Sequence, residues 1–348
     1  MGHGVPDAVS LRKGSAGVPT TAFSDISIDG KTVSAVNFMR LATEYLESGN
    51  IPSGLPQWGA TVDRFVRAGA SALVEEELES RWVERRVYLD GSVPREVYVQ
   101  LSAVAEELLK AGRARNFFFV HKPPGMRIRF ECDPQSRIAV RDALLGMCSQ
   151  ATRDGLVLGH HSAVYEPEYK LFGGAAAMAG VHGMFTADSL VWMDYWGGQR
   201  QTPAWALSLR LIRSLFSAME ITDAEDQDVW DRLGCQAGRK FSDDEPEPSG
   251  WPEIAHRIRL MWGNPEHLSS VTSSMNTNCA SFEERVSSEW AKWNSEYFRT
   301  DPAVVGPREA AAFLIVFHWN RARLPFSWQA GIATALANVV YEREVRQT

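Results

Sequence analysis

The chain has 348 residues, 45% of them apolar and 10% aromatic, which supplies a large folded core and excludes disorder throughout. Its formal charge of −7 has the opposite sign to that of a generic nucleic-acid binder. Cys132, Cys148, Cys235 and Cys279 lack the paired spacings of a zinc site, and no apolar run is long enough for a signal peptide or a membrane span. A cytoplasmic protein with free thiols and no metal is therefore expected.

Residues 1–30, rich in Gly, Ser, Thr, Pro and Val without a helical or strand period, read as a mobile arm, and 31–348 as one large domain. Helices are predicted at about 34–48, 61–80 and 97–111, with Gly112 stopping the third. Asn116–His121 and the alternation of Met126, Ile128 and Phe130 with Arg127, Arg129 and Glu131 predict two strands turned at Pro123-Pro124-Gly125. A helix over 136–152, an apolar strand over 156–165 and a small-residue helix from Gly174 to about Trp196 follow. The segment Ser242–Gly250, acidic and holding two prolines, reads as an exposed loop. Helices dominate after it, including 281–298, 308–322 and 327–345. Strands gathered between 115 and 165, with helices on both sides in sequence, give an α+β class: a mainly antiparallel sheet flanked by helices, with a helical C-terminal half.

The glycine-rich phosphate loops, the GxSxG elbow, HExxH and the calcium-binding EF-hand loop are all missing from the sequence. The chemistry left is that of ordinary acid, base and hydrogen-bonding side chains. Arg127 and Arg129 stand two apart on one strand face, either as a clamp for carboxylate or amide oxygens or as a solvated wet face. Lys110, Arg113, Arg115 and Lys122 extend them into a basic strip, because no Asp or Glu occurs from 108 to 130. Glu168, with Glu166, precedes Gly173-Gly174 and offers an acid or base, or a partner for the arginines. His318 and Arg321, three apart beside Asn320, share a helix face, with His318 read either as a hydrogen-bonded core residue or as a proton carrier. Trp290, Trp293 and Tyr297 form an aromatic stripe, either packed inside or lining a groove.

Three segments in order carry a resemblance. FFFVHKPPGMRIRFE (117–131), YEPEYKLFGG (165–174) with Phe185–Ser189 (FTADS) behind it, and HWNR (318–321) resemble elements of the lantibiotic dehydratase C-terminal, thiopeptide-type bacteriocin biosynthesis family, over roughly residues 95–345. The resemblance implies an enzyme acting on a ribosomal precursor peptide, without a cofactor. The family's eliminating branch resembles this chain in the arginines Arg127 and Arg129. This chain departs from it in having Gly125 where that element carries a histidine, Leu171 before the aromatic-Gly-Gly, and Val316 four positions before Asn320.

A stand-alone chain of this length looks more like a thiopeptide pyridine synthase. The resemblance then implies a formal aza-Diels-Alder cycloaddition of two dehydroalanines in an azole-bearing peptide, followed by loss of water and leader peptide. Tyr297, Ser287 and His318 are the expected hydrogen-bonding and proton-transfer residues. Arg127, Arg129, Lys110, Arg113, Arg115, Glu168, Asn320 and Arg321 are expected to hold the peptide. A glutamate eliminase and a non-catalytic leader-binding partner are the other readings. The expected partners are leader and core peptide and other enzymes of the pathway, with no nucleic acid or membrane.

Overall fold

The computed structural model describes residues 25–28, 31–53, 55, 57–222, 224–241, 250–300 and 303–337. Most of the expected arm, the acidic loop over 242–249 and the end of the last expected helix lie outside them. The elements are β1 (Asp25–Ile28), β2 (Lys31–Ser34), α1 (Ala35–Ser48), α2 (Trp58–Ser80), β3 (Trp82–Tyr88), α3 (Arg95–Lys110), β4 (Asn116–Lys122), β5 (Gly125–Glu131), α4 (Arg137–Arg153) and β6 (Gly159–Ala163). Then come α5 (Tyr169–Phe172), α6 (Ala175–Gly197), α7 (Ala204–Ala218), α8 (Ala224–Cys235), α9 (Trp251–Gly263), α10 (Pro265–Val271), α11 (Asn276–Trp293), α12 (Pro307–Arg321) and α13 (Phe326–Ala337).

Contacts divide the chain between Leu73 and Val74. In the first unit β1 and β2 pair antiparallel, and the Ser34 hydroxyl caps α1 by accepting from the Asn37 N–H at 3.3 Å. Gly49 ends that helix in the left-handed conformation that favours glycine. Phe38, Ala42, Leu55, Trp58 and Val62 form a core of their own.

The second unit is built on a sheet of order β4-β5-β3-β6, antiparallel throughout. The predicted hairpin is β4 and β5, turned at Pro123-Pro124. The interior strand β3 escapes the apolar pattern because Glu84, Arg85 and Arg86 interrupt it, yet Glu84 and Arg85 are buried. Strand β4 lies at an edge, and its outward N–H groups are satisfied by side chains. Thr186 and Ser189 of α6 accept from Phe117 and Phe119 at 3.1 and 3.4 Å, and Asn320 of α12 accepts from His121 at 2.7 Å.

Small residues let α6 run close to its neighbours. A Cβ at Gly180 would stand 2.2 Å from the Trp293 ring, and one at Gly183 2.4 Å from Glu289. Of the twelve tryptophans, all but Trp196, Trp205 and Trp328 are buried, so the excess mainly fills the core. All four cysteines are unpaired. Among the described residues no helix is long and apolar enough to cross a membrane.

Candidate active site

The alternation of β5 sends Arg127 and Arg129 to one face of the sheet, where β3 presents Arg86 and Glu84 opposite them. Arg129 is no solvated surface residue. It is 3% exposed, donates through Nε to Glu84 Oε2 at 2.7 Å, and lies 4.3 Å from the Tyr165 ring centroid. Glu84 Oε1 accepts from Arg86 Nε at 2.9 Å. One buried carboxylate is thus shared by two arginines, and Arg127 remains turned towards a pocket.

That pocket, about 230 Å³ in volume, has Lys122, Arg127 and Arg129 on its sheet side, with Arg239 and Glu168 beside them and Val316 and Phe317 of α12 facing them. Burial pushes Glu168 up, against the pull of Arg129, Arg127 and Lys122, and its Oε2 has no hydrogen-bond partner among the described residues. A carboxyl so placed takes and returns a proton more readily near neutrality than an ordinary glutamate does. The cations around it suit a carboxylate or a polarised amide oxygen.

His121 lines the same pocket but is already engaged. Its Nδ1 lies 2.9 Å from the Asn320 carbonyl, which can only accept, so Nδ1 carries the proton and Nε2 accepts from the Tyr98 hydroxyl at 2.7 Å. The Asn320 amide returns a bond to the His121 carbonyl at 2.6 Å, acting as a substitute strand partner.

Burial lowers His121 to about 4, and His182, buried against Tyr165 and Trp82, to about 3. Below pH 6.5 the unfolded chain binds protons that these folded imidazoles refuse, so their contribution is whole above that value and lost as the pH falls through it. Stability is expected to fall by about 1 kcal/mol per pH unit for each histidine between pH 6.5 and 5. Thermal melts across that window check this, and a melting temperature unchanged from pH 7 to 5 would contradict it.

The expected site residues separate into groups. Arg127, Arg129, Glu168 and Asn320 meet at the pocket. Lys110, Arg113 and Arg115 do not join them. They are exposed at the far end of the hairpin, where Arg113 faces Glu107 and Arg115 pairs with Asp133, so the basic strip is cut in two by the length of β4. His318 and Arg321 lie on the other side of α12 from Val316, around buried Asp188. Arg321 Nε and His318 Nδ1 meet its two oxygens at 2.7 and 2.6 Å, and His318 Nε2 meets the Ser208 hydroxyl at 2.9 Å.

Tyr297 is 2% exposed, and its oxygen accepts from the N–H groups of Val304 and Val305 at 3.1 Å. Gly173, at φ 91°, makes room for it, since a Cβ there would stand 1.8 Å from the Tyr297 oxygen. Trp290 and Trp293 are buried beside it, and Ser287 is exposed on α11. Tyr297, Ser287 and His318 therefore do not converge. Lys122, the one member of the expected basic extension at the pocket, lines it with the two arginines, while Arg239 and Gln329, paired at 3.0 Å, belong to the pocket wall and carry no sequence signal.

The helix-covered antiparallel sheet thus gathers Lys122, Arg127, Arg129 and Arg239 round one desolvated carboxyl, an arrangement chemically able to hold an anion or an amide oxygen and to exchange a proton. The chain belongs to the family described as lantibiotic biosynthesis dehydratase C-term, whose model matches residues 82–340. Among solved structures it is similar in fold to the tRNA-dependent lantibiotic dehydratase MibB from Microbispora sp. 107891, with 16% identity and a TM-score of 0.55. That likeness covers 74% of this chain and 27% of MibB, so the chain spans about a quarter of that protein's length.

Two further structures are similar at lower scores. The pyridine synthase TbtD from thiomuracin biosynthesis shares 14% identity at a TM-score of 0.48, over 74% of this chain and 98% of TbtD. TsrL shares 12% identity at 0.45, over 73% of this chain and 93% of TsrL. No curated protein matches the chain.

Proposed function

We propose that this chain closes the pyridine ring of a thiopeptide. Its substrate would be a cytoplasmic precursor peptide bearing azoles and two dehydroalanines, joined in a formal aza-cycloaddition that ends with loss of water and leader peptide. The observation that carries the reading is the composition of the 230 Å³ pocket, with cations and Glu168 on one side and apolar Val316 and Phe317 on the other.

Val316 stands where the family resemblance would place the histidine of the eliminating branch, and the helix contributes no base there. Gly125 has no room for a side chain either, since a Cβ would stand 1.8 Å from the Val87 carbonyl oxygen. Arg127 and Lys122 would donate to the amide oxygen of the reacting azadiene and favour its iminol form, and Glu168 would move the proton that departs with water. The apolar wall suits azoles and alkenes. Holding two alkenes of one chain together supplies much of the barrier reduction through effective molarity. Tyr297, Ser287 and His318 have no part in this proposal.

Incubation with a bis-dehydroalanine, azole-containing precursor is expected to give a product lighter by water and leader peptide in mass spectrometry. Arg127→Gln is expected to slow it by roughly 10²–10³-fold, the range for removing one donor to a developing charge. The carboxylate-binding character of the cations favours glutamate elimination as the second reading. Conversion of a glutamylated precursor to its dehydrated form, with no cyclisation, would establish that reading instead. Binding without turnover of either substrate would leave a peptide-presenting partner.

A further inference from the structure

A second cavity, about 470 Å³, opens at the first turn of α3 and is lined by Arg95, Arg200 and Arg323 together with Tyr98 and Trp196, Arg95 donating through Nε to the Gly197 carbonyl at 2.7 Å. No carboxylate lines it. The guanidiniums of Arg200 and Arg323 both lie over the Trp196 ring, at 5.7 and 5.4 Å from its centroid, and among the described residues neither has an acidic partner.

Both arginines also have left-handed backbone, φ 50° and 52°, a conformation that L side chains adopt rarely and at a cost. Of the three non-glycine residues with positive φ among those described, two thus bring guanidiniums to one shelf. From these observations we infer that this cavity is a carboxylate-binding subsite for an acidic segment of a peptide.

Several features favour a peptide over a lone ion. The neighbouring pocket of about 350 Å³, which also has Tyr98 in its wall, is lined by Glu106 and Asp194, so the cationic character is confined to the shelf over Trp196 and suits one short acidic segment. The Trp196 and Tyr98 rings offer a flat apolar floor for the methylenes next to a carboxylate, and two guanidinium forks match its two oxygens. The net charge of −7 disfavours an extended polyanion.

Tyr98 also joins this cavity to the candidate active site. It stands beside Arg323 in the cavity wall, and its hydroxyl donates to His121, which lines the 230 Å³ pocket. A peptide anchored at Arg323 therefore lies against Tyr98, one hydrogen bond away from a wall of that pocket. The inference rests on the reading that the substrate is a peptide and is independent of which reaction follows.

The test is fluorescence anisotropy with a labelled, carboxy-amidated peptide carrying Glu-Phe-Glu and its Gln-Phe-Gln counterpart. The acidic peptide is expected to bind the full chain at least tenfold more tightly. The double variant Arg200→Asn, Arg323→Asn is expected to reduce it to the affinity of the glutamine peptide. Asparagine tolerates left-handed backbone, so that loss reports the guanidiniums and not a refolded turn. Equal affinity for the two peptides, undiminished binding by the double variant, or displacement by inorganic phosphate at the concentration of the acidic peptide would each overturn the inference. A chain that discriminates the peptides yet makes no pyridine rejects the cyclisation alone, whereas one that makes pyridine without discriminating rejects this subsite alone.

Discussion

Replacing Glu84 by alanine is expected to destabilise the larger unit by about 3–5 kcal/mol, because it strands a buried arginine. The Glu84 side chain is fully covered, and it meets Arg129 on one oxygen and Arg86 on the other. Without it Arg129 sits inside the sheet face beside Arg86 and Arg127, against the rings of Tyr165 and Phe118, with no carboxylate among the described residues in ion-pair contact. Chemical denaturation measures the loss, and a melting-temperature fall of roughly 10 °C accompanies it. Glu84→Leu combined with Arg129→Met is expected to recover most of the stability while leaving the pocket short of a cation, since an apolar pair of similar volume replaces a buried ion pair at little cost. A loss below about 1 kcal/mol in the single variant would contradict the shared-carboxylate account.

Asp188→Asn is expected to cost a similar amount, about 3–5 kcal/mol, for a related reason. Burial pushes Asp188 up, but His318 and Arg321 together outweigh it and hold the carboxyl below its ordinary value. A folded value below the unfolded one means that the contribution is complete above the ordinary carboxylate range and is lost as the pH falls through the folded value. The amide can accept from only one of the two donors, and Arg321 already has a buried Nη1 without a partner among the described residues. Melts of wild type and variant at pH 7 read the difference, which is expected to narrow on acidification below about pH 4, where the unfolded chain takes up the proton that the folded Asp188 carboxylate still refuses. A difference that stays constant down to pH 3 would place the stabilisation somewhere other than the ionised carboxyl.

The hairpin of β4 and β5 was legible because alternation and a Pro-Pro-Gly turn are local signals. The interior strand β3 was not, because a sequence shows Glu84, Arg85 and Arg86 as polar, and only the register with β5 reveals that Glu84 finds its partners inside. The pocket follows the same division. Arg127, Arg129 and Glu168 stood out by type and spacing, while Arg239 and Gln329 reach the site from distant elements that no periodicity connects. His318 and Tyr297 drew attention as chemically capable side chains. Capability is a property of the residue and availability one of its surroundings, and in both the polar atoms are taken up by Asp188 and Ser208 or by two backbone amides.

The side chains that cover the outer rim of β4 have one more consequence. Thr186, Ser189 and Asn320 occupy the main-chain groups through which an incoming peptide would extend the sheet. Strand addition is closed along that rim, so a ligand of the pocket meets side chains there and not a free edge of main-chain groups.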